Sequence, residues 1–207
     1  MLTIIDYGVG NLRSVYMAFR RLGVEARVTA DPAEVRAARA LVLPGVGAFG
    51  DAMQSLQALH LAQPIVDAVN QGIPFLGICL GLQLLFEASE EMGEHRGLGL
   101  LAGRVRRFPA GLTVPHMGWN QIHQANGTPL WRGVPDHSHV YFVHSYYADA
   151  EERAAVAAWT DYGIDYASAV ARGNLYAIQF HPEKSQDVGE RILRNFCAEA
   201  GLLEAEG

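Results

Sequence analysis

The first half of the chain alternates short apolar runs with stretches of helical periodicity. Leu2–Ile5 is a continuous apolar run, as expected of a buried strand. After Asn11, which suits a helix N-cap, apolar side chains recur every three or four positions up to Gly23, which suits a C-cap. The elements predicted next are a strand at Ala26–Thr29, a helix at Pro32–Ala38, a strand at Ala40–Leu43, helices around Met53–Leu59 and Pro64–Val69, and a strand at Phe75–Ile78. This alternation predicts an open, mostly parallel, doubly wound α/β sheet with helices on both faces.

The second half of the chain lacks such helical stretches until its end. Turn signals separate five predicted strands, namely Arg104–Phe108, Val140–Tyr147, Ala155–Thr160, Tyr166–Ala171 and Leu175–Phe180. A closing helix is predicted over Val188–Ala200. The C-terminal portion of the sheet is therefore expected to be mixed or antiparallel. Because no repeat or low-complexity linker interrupts the chain, we expect residues 1–207 to form a single domain.

Composition narrows the class of protein. The chain is 50% hydrophobic and 18% charged, which excludes intrinsic disorder. A net charge of −6 without a dense basic run argues against binding of a nucleic-acid backbone. The N-terminus lacks the pattern of a secretory signal, and the longest apolar stretch, Phe75–Phe86, is shorter than the roughly 20 residues of a membrane span. With only Cys79 and Cys197 as cysteines, we expect a cytoplasmic protein without disulfides.

Cys79 stands in the centre of Gly77–Gly81, a segment with the G-x-C-x-G spacing of a nucleophile elbow. The segment follows a predicted strand and precedes a helical pattern over Leu80–Ala88. The glycines allow a sharp turn, and the N-terminus of a helix favours the thiolate form of a cysteine. By itself, the segment is equally compatible with a buried structural cysteine between packing glycines.

His181-Pro182-Glu183 directly follows the last predicted strand, at the sheet edge where open α/β sheets hold their ligands. A thiol nucleophile needs a base, and the base needs an acceptor that orients its second ring nitrogen. A His-Pro-Glu segment alone is also typical of a solvated turn. Together with the elbow, however, Cys79, His181 and Glu183 predict a catalytic triad.

Gly45–Gly50 matches the G-x-G-x-x-G pattern of dinucleotide sites. It follows the third predicted strand rather than the first, Pro44 precedes it, and Asn70 stands where an acidic residue is expected. These departures favour another use of the same glycines, in which backbone N–H groups stabilise an oxyanion beside the thiol.

His137, His139 and His144 raise the possibility of a metal site. The sequence offers no carboxylate or cysteine at a recognised ligand spacing nearby. Ordinary loop or core histidines are therefore favoured, and no metal site is predicted.

The motifs, taken in order, resemble those of the triad (class I) glutamine amidotransferase family. The segments that carry the resemblance are Ile5–Leu12, Pro44–Gly50, Gly77–Gln83, Pro115–Asn120, Phe142–Tyr146 and Gln179–Ser185. The elbow and the His-Pro-Glu segment are common to the whole family. Ile5–Leu12 and Pro44–Gly50 are similar, more narrowly, to the glutaminase subunits of imidazole glycerol phosphate synthases in histidine biosynthesis.

This resemblance implies a glutaminase in which Cys79 attacks the side-chain amide of glutamine and releases ammonia. His181 would transfer the protons and Glu183 would orient His181, while the backbone N–H groups of Val46 and Leu80 would hold the oxyanion. The further glutamine contacts implied by the resemblance are Gly47, Gln83, His144, Ser145 and Tyr146.

The resemblance also implies a partner. Ammonia would pass to a (β/α)8-barrel cyclase subunit in a heterodimer, with Asn11, Trp119, Tyr141 and Lys184 near the interface. No cofactor, metal, nucleic acid or membrane is implied.

Three alternatives share parts of this pattern. The glutaminases of pyridoxal phosphate, anthranilate or guanylate synthesis have the same triad, but we expect them to lack Pro44–Gly47 in this form. A triad-fold peptidase would act without a partner and would prefer peptides to glutamine. A non-catalytic module on the same scaffold would be expected to have lost Cys79, His181 or Glu183.

Overall fold

The structure is a computed structural model that describes residues 1–204. The predicted domain extends to residue 207, so residues 205–207 lie outside this part. The strands are β1 (Leu2–Ile5), β2 (Ala26–Thr29), β3 (Leu41–Gly45), β4 (Phe75–Cys79), β5 (Phe86–Ser89), β6 (His95–Arg96), β7 (Leu101–Arg107), β8 (His116–Gln121), β9 (His123–Gln124), β10 (His139–His144), β11 (Tyr146–Ala150), β12 (Val156–Asp161), β13 (Asp165–Arg172) and β14 (Leu175–Ile178). The α-helices are α1 (Leu12–Arg21), α2 (Pro32–Arg36), α3 (Phe49–Ala58), α4 (Ala62–Asn70), α5 (Leu80–Gln83) and α6 (Gln186–Glu199).

The strands form one large mixed sheet in the order β2-β1-β3-β4-β14-β13-β11-β7-β5-β6, with β12 and β9 joined beside β13. Every pair from β2 to β14 is parallel, and the pairs from β14 to β7 are antiparallel. The predicted α/β fold with a mixed C-terminal portion is therefore confirmed. β8 and β10 form a separate antiparallel sheet.

Helices cover both faces of the parallel half of the sheet. Alternate residues of one strand point to opposite sides, so Ile4 belongs to one hydrophobic core and Ile5 to the other. α1 and α6 contribute to the core that contains Ile4, whereas α2, α3 and α4 contribute to the core that contains Ile5. Among the described residues, every helix is too short or too polar to cross a bilayer.

The predicted ends of α1 are confirmed. The side chain of Asn11 accepts a hydrogen bond from the backbone N–H of Ser14 at 3.4 Å, and Gly23 follows the helix with φ +81°. A left-handed φ of this kind is typical of the glycine that ends a helix. Local sequence signals were sufficient here because capping involves only neighbouring residues.

Two predictions are wrong. The single strand expected over Val140–Tyr147 is two strands, because the chain leaves the β8–β10 sheet at Ser145 and enters the large sheet as β11. The helix expected over Leu80–Ala88 ends at Gln83. Backbone groups beyond that point pair with β6 and β7, so tertiary pairing overrides the helical pattern of the apolar residues.

Candidate active site

Cys79 lies at the turn between β4 and α5, with the left-handed backbone angles φ 55° and ψ −109°. Such angles are rare for any residue other than glycine and are typical of a nucleophile elbow. A Cβ atom at Gly81 would lie 1.8 Å from the carbonyl oxygen of Leu43, and one at Gly77 would lie 2.7 Å from the carbonyl oxygen of Gly81. Gly81 is therefore required for the turn to pack against β3, and Gly77 is required for the turn to fold back onto β4.

The helix that follows the elbow has a single turn, which limits the helix-dipole effect expected from the sequence. Leu80 is its first residue, so the backbone N–H of Leu80 has no acceptor within the helix. This N–H is available to a ligand at Cys79. The side chain of His181 also interacts electrostatically with Cys79.

His181 and Glu183 form a buried pair, with side chains 4% and 2% exposed. Nδ1 of His181 donates a hydrogen bond to Oε1 of Glu183 at 2.8 Å. Nε2 of His181 is also buried, and no atom of residues 1–204 lies in hydrogen-bonding geometry to it. Burial lowers the pKa of His181, but the neighbouring Cys79 and Glu183 outweigh burial and raise this pKa to about 10. The imidazole therefore holds a proton at neutral pH.

Backbone hydrogen bonds fix the position of His181 on the β8–β10 sheet. Its N–H donates to the carbonyl oxygen of Tyr141 at 2.9 Å, and its own carbonyl oxygen accepts from the Ser185 hydroxyl at 2.7 Å. The same hydroxyl accepts from the N–H of Tyr141 at 3.0 Å. Since Ser185 is buried, these bonds are shielded from water and hold the two segments together.

A cleft of about 370 Å³ opens beside Cys79. It is lined by Val46, Gly47, Cys79, Leu80, Gln83, Glu91, Pro115, Val143, His144, Ser145 and Tyr146. The structure thus brings every predicted glutamine contact and both predicted oxyanion residues to one cleft. His181 and Glu183 line a second, much smaller cavity, which Asn11 and Val46 also reach. Val46 lies between the two.

Gln179 and Glu91 were not singled out from the sequence. Gln179 is fully buried just beyond β14, and its Oε1 accepts a hydrogen bond from Nε2 of Gln83 at 3.0 Å. Gln83 also donates to the carbonyl oxygen of Tyr146 at 2.9 Å. Gln179 could have been noticed as a polar residue that ends an apolar strand just before His181.

Glu91 enters the cleft from the loop after β5. Its Oε2 accepts a hydrogen bond from the backbone N–H of Phe49, the first residue of α3, at 2.7 Å. The carboxylate therefore caps this helix and lines the cleft as well. Nothing in the sequence around Glu91 predicts this position, since the contact joins residues far apart in the chain.

His144 lines the cleft, but its ring nitrogens are engaged in a buried network. Nδ1 donates to the carbonyl oxygen of Tyr146 at 2.7 Å, and Nε2 lies 3.2 Å from Nδ1 of His116 and 3.1 Å from the Tyr166 hydroxyl. Burial lowers the pKa of His144 to about 3 and that of His116 to about 4. Both rings are therefore neutral, and His144 stabilises the chain where β10 passes into β11.

Of the residues expected at a partner interface, Trp119 and Lys184 both lie beside Tyr141. Trp119 and Tyr141 are cross-strand neighbours with ring centroids 6.1 Å apart, and Nζ of Lys184 lies 5.6 Å from the Tyr141 ring. Trp119 is 47% exposed. Asn11, the fourth of these residues, lies at the small cavity that contains His181 and Glu183.

Comparisons with known proteins show the family of the chain. The family model described as "Glutamine amidotransferase class-I" matches residues 3–200. The chain is 56% identical over 203 residues to an imidazole glycerol phosphate synthase subunit HisH of Syntrophotalea carbinolica, covering 95% of this chain and 98% of the relative. It is 53% identical over 196 residues to the same-named subunit of Desulfitobacterium hafniense strain Y51, covering 95% and 93%. A crystal structure of a glutamine amidotransferase superposes with a TM-score of 0.76 at 22% identity, covering 96% of this chain and 98% of the other, and supports the fold alone.

Proposed function

The chain belongs to the class-I glutamine amidotransferases, among the HisH glutaminase subunits of imidazole glycerol phosphate synthase, and on this premise we propose that Cys79, His181 and Glu183 hydrolyse glutamine in its cleft. The observation that carries the proposal is the buried hydrogen bond of 2.8 Å between His181 and Glu183, next to a cysteine with elbow geometry. A thiol, a base and an orienting carboxylate are the groups that acyl transfer requires.

In the first step, the sulfur of Cys79 attacks the side-chain amide carbon of glutamine. The backbone N–H groups of Leu80 and Val46 stabilise the oxyanion that forms. The imidazolium of His181 gives its proton to the leaving nitrogen, so ammonia departs and a γ-glutamyl thioester remains. His181 then takes a proton from water, and the resulting hydroxide attacks the thioester to release glutamate and the thiolate. Glu183 keeps the imidazole in the orientation that both transfers need.

The amino-acid end of glutamine would occupy the part of the cleft away from Cys79. Glu91 offers a negative charge there, which is complementary to the α-ammonium group of the substrate. Backbone groups of Gly47, Ser145 and Tyr146 line the same space and can bind the α-carboxylate. The amide of Gln83 already bonds to Tyr146 and Gln179, so we assign it the role of holding this wall in position.

We further propose a heterodimer with a (β/α)8-barrel cyclase, which would use the ammonia to form imidazole glycerol phosphate and an aminoimidazole carboxamide ribotide. An exposed tryptophan beside a lysine–tyrosine contact is typical of a protein interface. Through Tyr141, this surface connects to the backbone of His181. Both subunits would work in the cytoplasm, which fits the two free, buried cysteines.

The catalytic part is tested with the chain in complex with its cyclase. Cys79→Ala is expected to abolish glutamine-dependent product formation, but to retain the reaction with added ammonium at high pH, because the cyclase holds the acceptor substrate. Cys197→Ala, at the other free cysteine, is the control and is expected to keep the glutamine reaction. Glutamine hydrolysis by Cys79→Ala at the wild-type rate would refute the assignment of the nucleophile.

The interface is tested by the affinity for the cyclase. Trp119→Ala is expected to weaken binding by about tenfold or more, since buried tryptophans often dominate interfaces. Leu59→Ala, at an exposed apolar position just after α3, is the matched control and should bind normally. Equal affinities for the two variants would exclude Trp119 from the interface.

A further inference from the structure

A second group of ligand-type side chains lies where β9 meets the loop that leads into β10. His123, Asp136 and His137 each offer one ligand atom, and all three atoms lie within 4.8 Å of one another. None of the three residues lines the glutamine cleft. For His137, the sequence favoured an ordinary histidine because it offers no carboxylate or cysteine at a recognised ligand spacing nearby. His123 is distant from Asp136 in the chain, and only folding brings the two together.

The carboxylate of Asp136 is held in a fixed orientation. Its Oδ1 accepts hydrogen bonds from the backbone N–H groups of Gln124 at 2.8 Å and of His137 at 2.9 Å. The first of these bonds is the main reason why the pKa of Asp136 lies below its ordinary value. The other oxygen, Oδ2, lies 3.4 Å from Nε2 of His137. An ionised carboxylate oxygen therefore faces an imidazole nitrogen directly.

The two imidazoles are arranged around this carboxylate. The rings of His123 and His137 are perpendicular, at 88°, with centroids 4.5 Å apart. When two ligand atoms each lie 2.0–2.1 Å from a tetrahedral zinc ion, they are about 3.3 Å apart. This separation is close to the 3.4 Å between Oδ2 of Asp136 and Nε2 of His137. The ligand nitrogen of His123 lies within 4.8 Å of the other two ligand atoms, so a shift of about 1.5 Å or less brings it to this spacing. Asp136 and His137 are exposed and His123 is half-buried, so an ion can enter from solvent.

We propose that His123, Asp136 and His137 form a surface site for a divalent transition-metal ion, with Zn²⁺ as the best-fitting ion. Two imidazoles and one carboxylate suit zinc, whereas Mg²⁺ and Ca²⁺ prefer sites made of oxygen ligands. Water would complete the tetrahedron. The bound ion would tie β9 to the start of β10, the strand whose other end carries His144 at the cleft. The site is independent of glutamine hydrolysis.

Binding is tested by calorimetric titration of the full chain with Zn²⁺. Cys79→Ser serves as the background, because cysteine thiols in general bind Zn²⁺ and this substitution removes the one in the cleft. His137→Gly removes one ligand and suits the left-handed φ of 61° at this position, so the fold is retained. Asp136→Asn is the second variant, since its amide oxygen can still accept the two backbone hydrogen bonds. His139→Gln, at an exposed histidine in β10, is the matched control.

We expect one ion per chain with a dissociation constant in the micromolar range or below. Both His137→Gly and Asp136→Asn should weaken binding by about tenfold or more, whereas His139→Gln should not change it. Co²⁺ should give the absorption bands of a tetrahedral site in the background protein and lose them in His137→Gly. Binding no tighter than millimolar, or equal affinity in the background protein and both ligand variants, would overturn the proposal.

Discussion

The side-chain amide of Gln179 lies 3.7 Å from the sulfur of Cys79, with Nε2 as the donor. The same amide accepts a hydrogen bond from Gln83 through its oxygen at 3.0 Å. Because Gln179 is fully buried, water cannot replace either partner. One side chain therefore links the elbow cysteine to the wall of the cleft that Gln83 and Tyr146 form.

Replacing Gln179 by leucine is expected to reduce kcat for glutamine hydrolysis by about tenfold, equivalent to about 1.4 kcal/mol. The sulfur would lose a donor, and Gln83 would lose an acceptor that holds it in place. The measurement is steady-state hydrolysis by the complex with the cyclase, together with the rate of Cys79 alkylation as a function of pH. Gln57→Leu, on the exposed side of α3, is the control. An unchanged kcat and an unchanged alkylation profile would mean that the Gln179–Cys79 contact has no influence on the reaction.

Gly81→Ala is expected to lower the free energy of unfolding by about 3 kcal/mol or to prevent folding. The new Cβ would lie 1.8 Å from the backbone oxygen of Leu43, which cannot move without displacing β3. Gly127→Ala is the matched substitution, because a Cβ there meets no atom within 4 Å. Chemical unfolding of both variants provides the comparison. Equal free energies of unfolding for Gly81→Ala and Gly127→Ala would contradict the close approach of the elbow to β3.

Glu91→Gln tests the charge in the cleft. The amide oxygen can still accept the hydrogen bond from Phe49, but the negative charge opposite the α-ammonium group is lost. We expect KM for glutamine to rise by about 10- to 100-fold, as for loss of a charged hydrogen bond, with a smaller change in kcat. Glu94→Gln makes the same chemical change in an exposed ion pair with Arg104 and should leave KM unaltered. A normal KM in Glu91→Gln would exclude this carboxylate from substrate binding.

Acid should destabilise the chain through His116 and His144. Their pKa values in the folded state, about 4 and about 3, lie below the value of about 6.5 for an unfolded histidine. Between pH 6.5 and 4 the unfolded chain therefore binds protons that the folded chain does not. The free energy of unfolding should fall with decreasing pH by up to about 1.4 kcal/mol per pH unit for each histidine. The raised pKa of His181 has the opposite effect on stability. Its stabilising contribution is complete below about pH 6.5 and is lost as the pH rises from there to about 10.

Urea unfolding between pH 4.5 and 7.5 measures this dependence. His116→Phe preserves the stacking with Phe142 and Tyr162 but removes one titrating group, so the slope of stability against pH should decrease. His139→Gln, at an exposed histidine, should keep the wild-type slope. A wild-type slope in His116→Phe would show that His116 is protonated in the folded state as readily as in the unfolded state.

The sequence alone determined the parallel half of the fold. Leu2–Ile5 and the apolar run that begins at Phe75 became buried strands, as predicted, because a strand covered on both faces needs a continuous apolar run. The cap at Asn11 and the turn at Cys79 were predictable for a related reason. Both are marked by residues within four positions of each other, so the local pattern is sufficient to predict them, although Gly81 is also required by its close approach to Leu43.

The tertiary structure decided how the second half is arranged. The strand predicted over Val140–Tyr147 runs through Ser145, yet the chain changes sheets there, because β10 pairs with β8 whereas β11 pairs with β7. Likewise, the helix after Cys79 stops at Gln83 because strand pairing satisfies the backbone beyond it. Periodicity reports which residues are buried, but not which partner covers them.

The same distinction, between what the local sequence predicts and what only the tertiary structure decides, applies to the glutamine cleft and to the proposed metal site. His181 and Glu183 are two residues apart, so their pairing was visible in the sequence, as was their place after a strand. Three other contacts were not visible in the sequence, because each depends on the register and packing of elements that are distant in the chain. They are the contacts of Gln179 with Cys79, of Glu91 with Phe49, and of His123 with Asp136. Local sequence determines which chemical groups are present and how each short segment folds. Which of them meet is decided by the free energy of packing the whole chain, to which every element contributes.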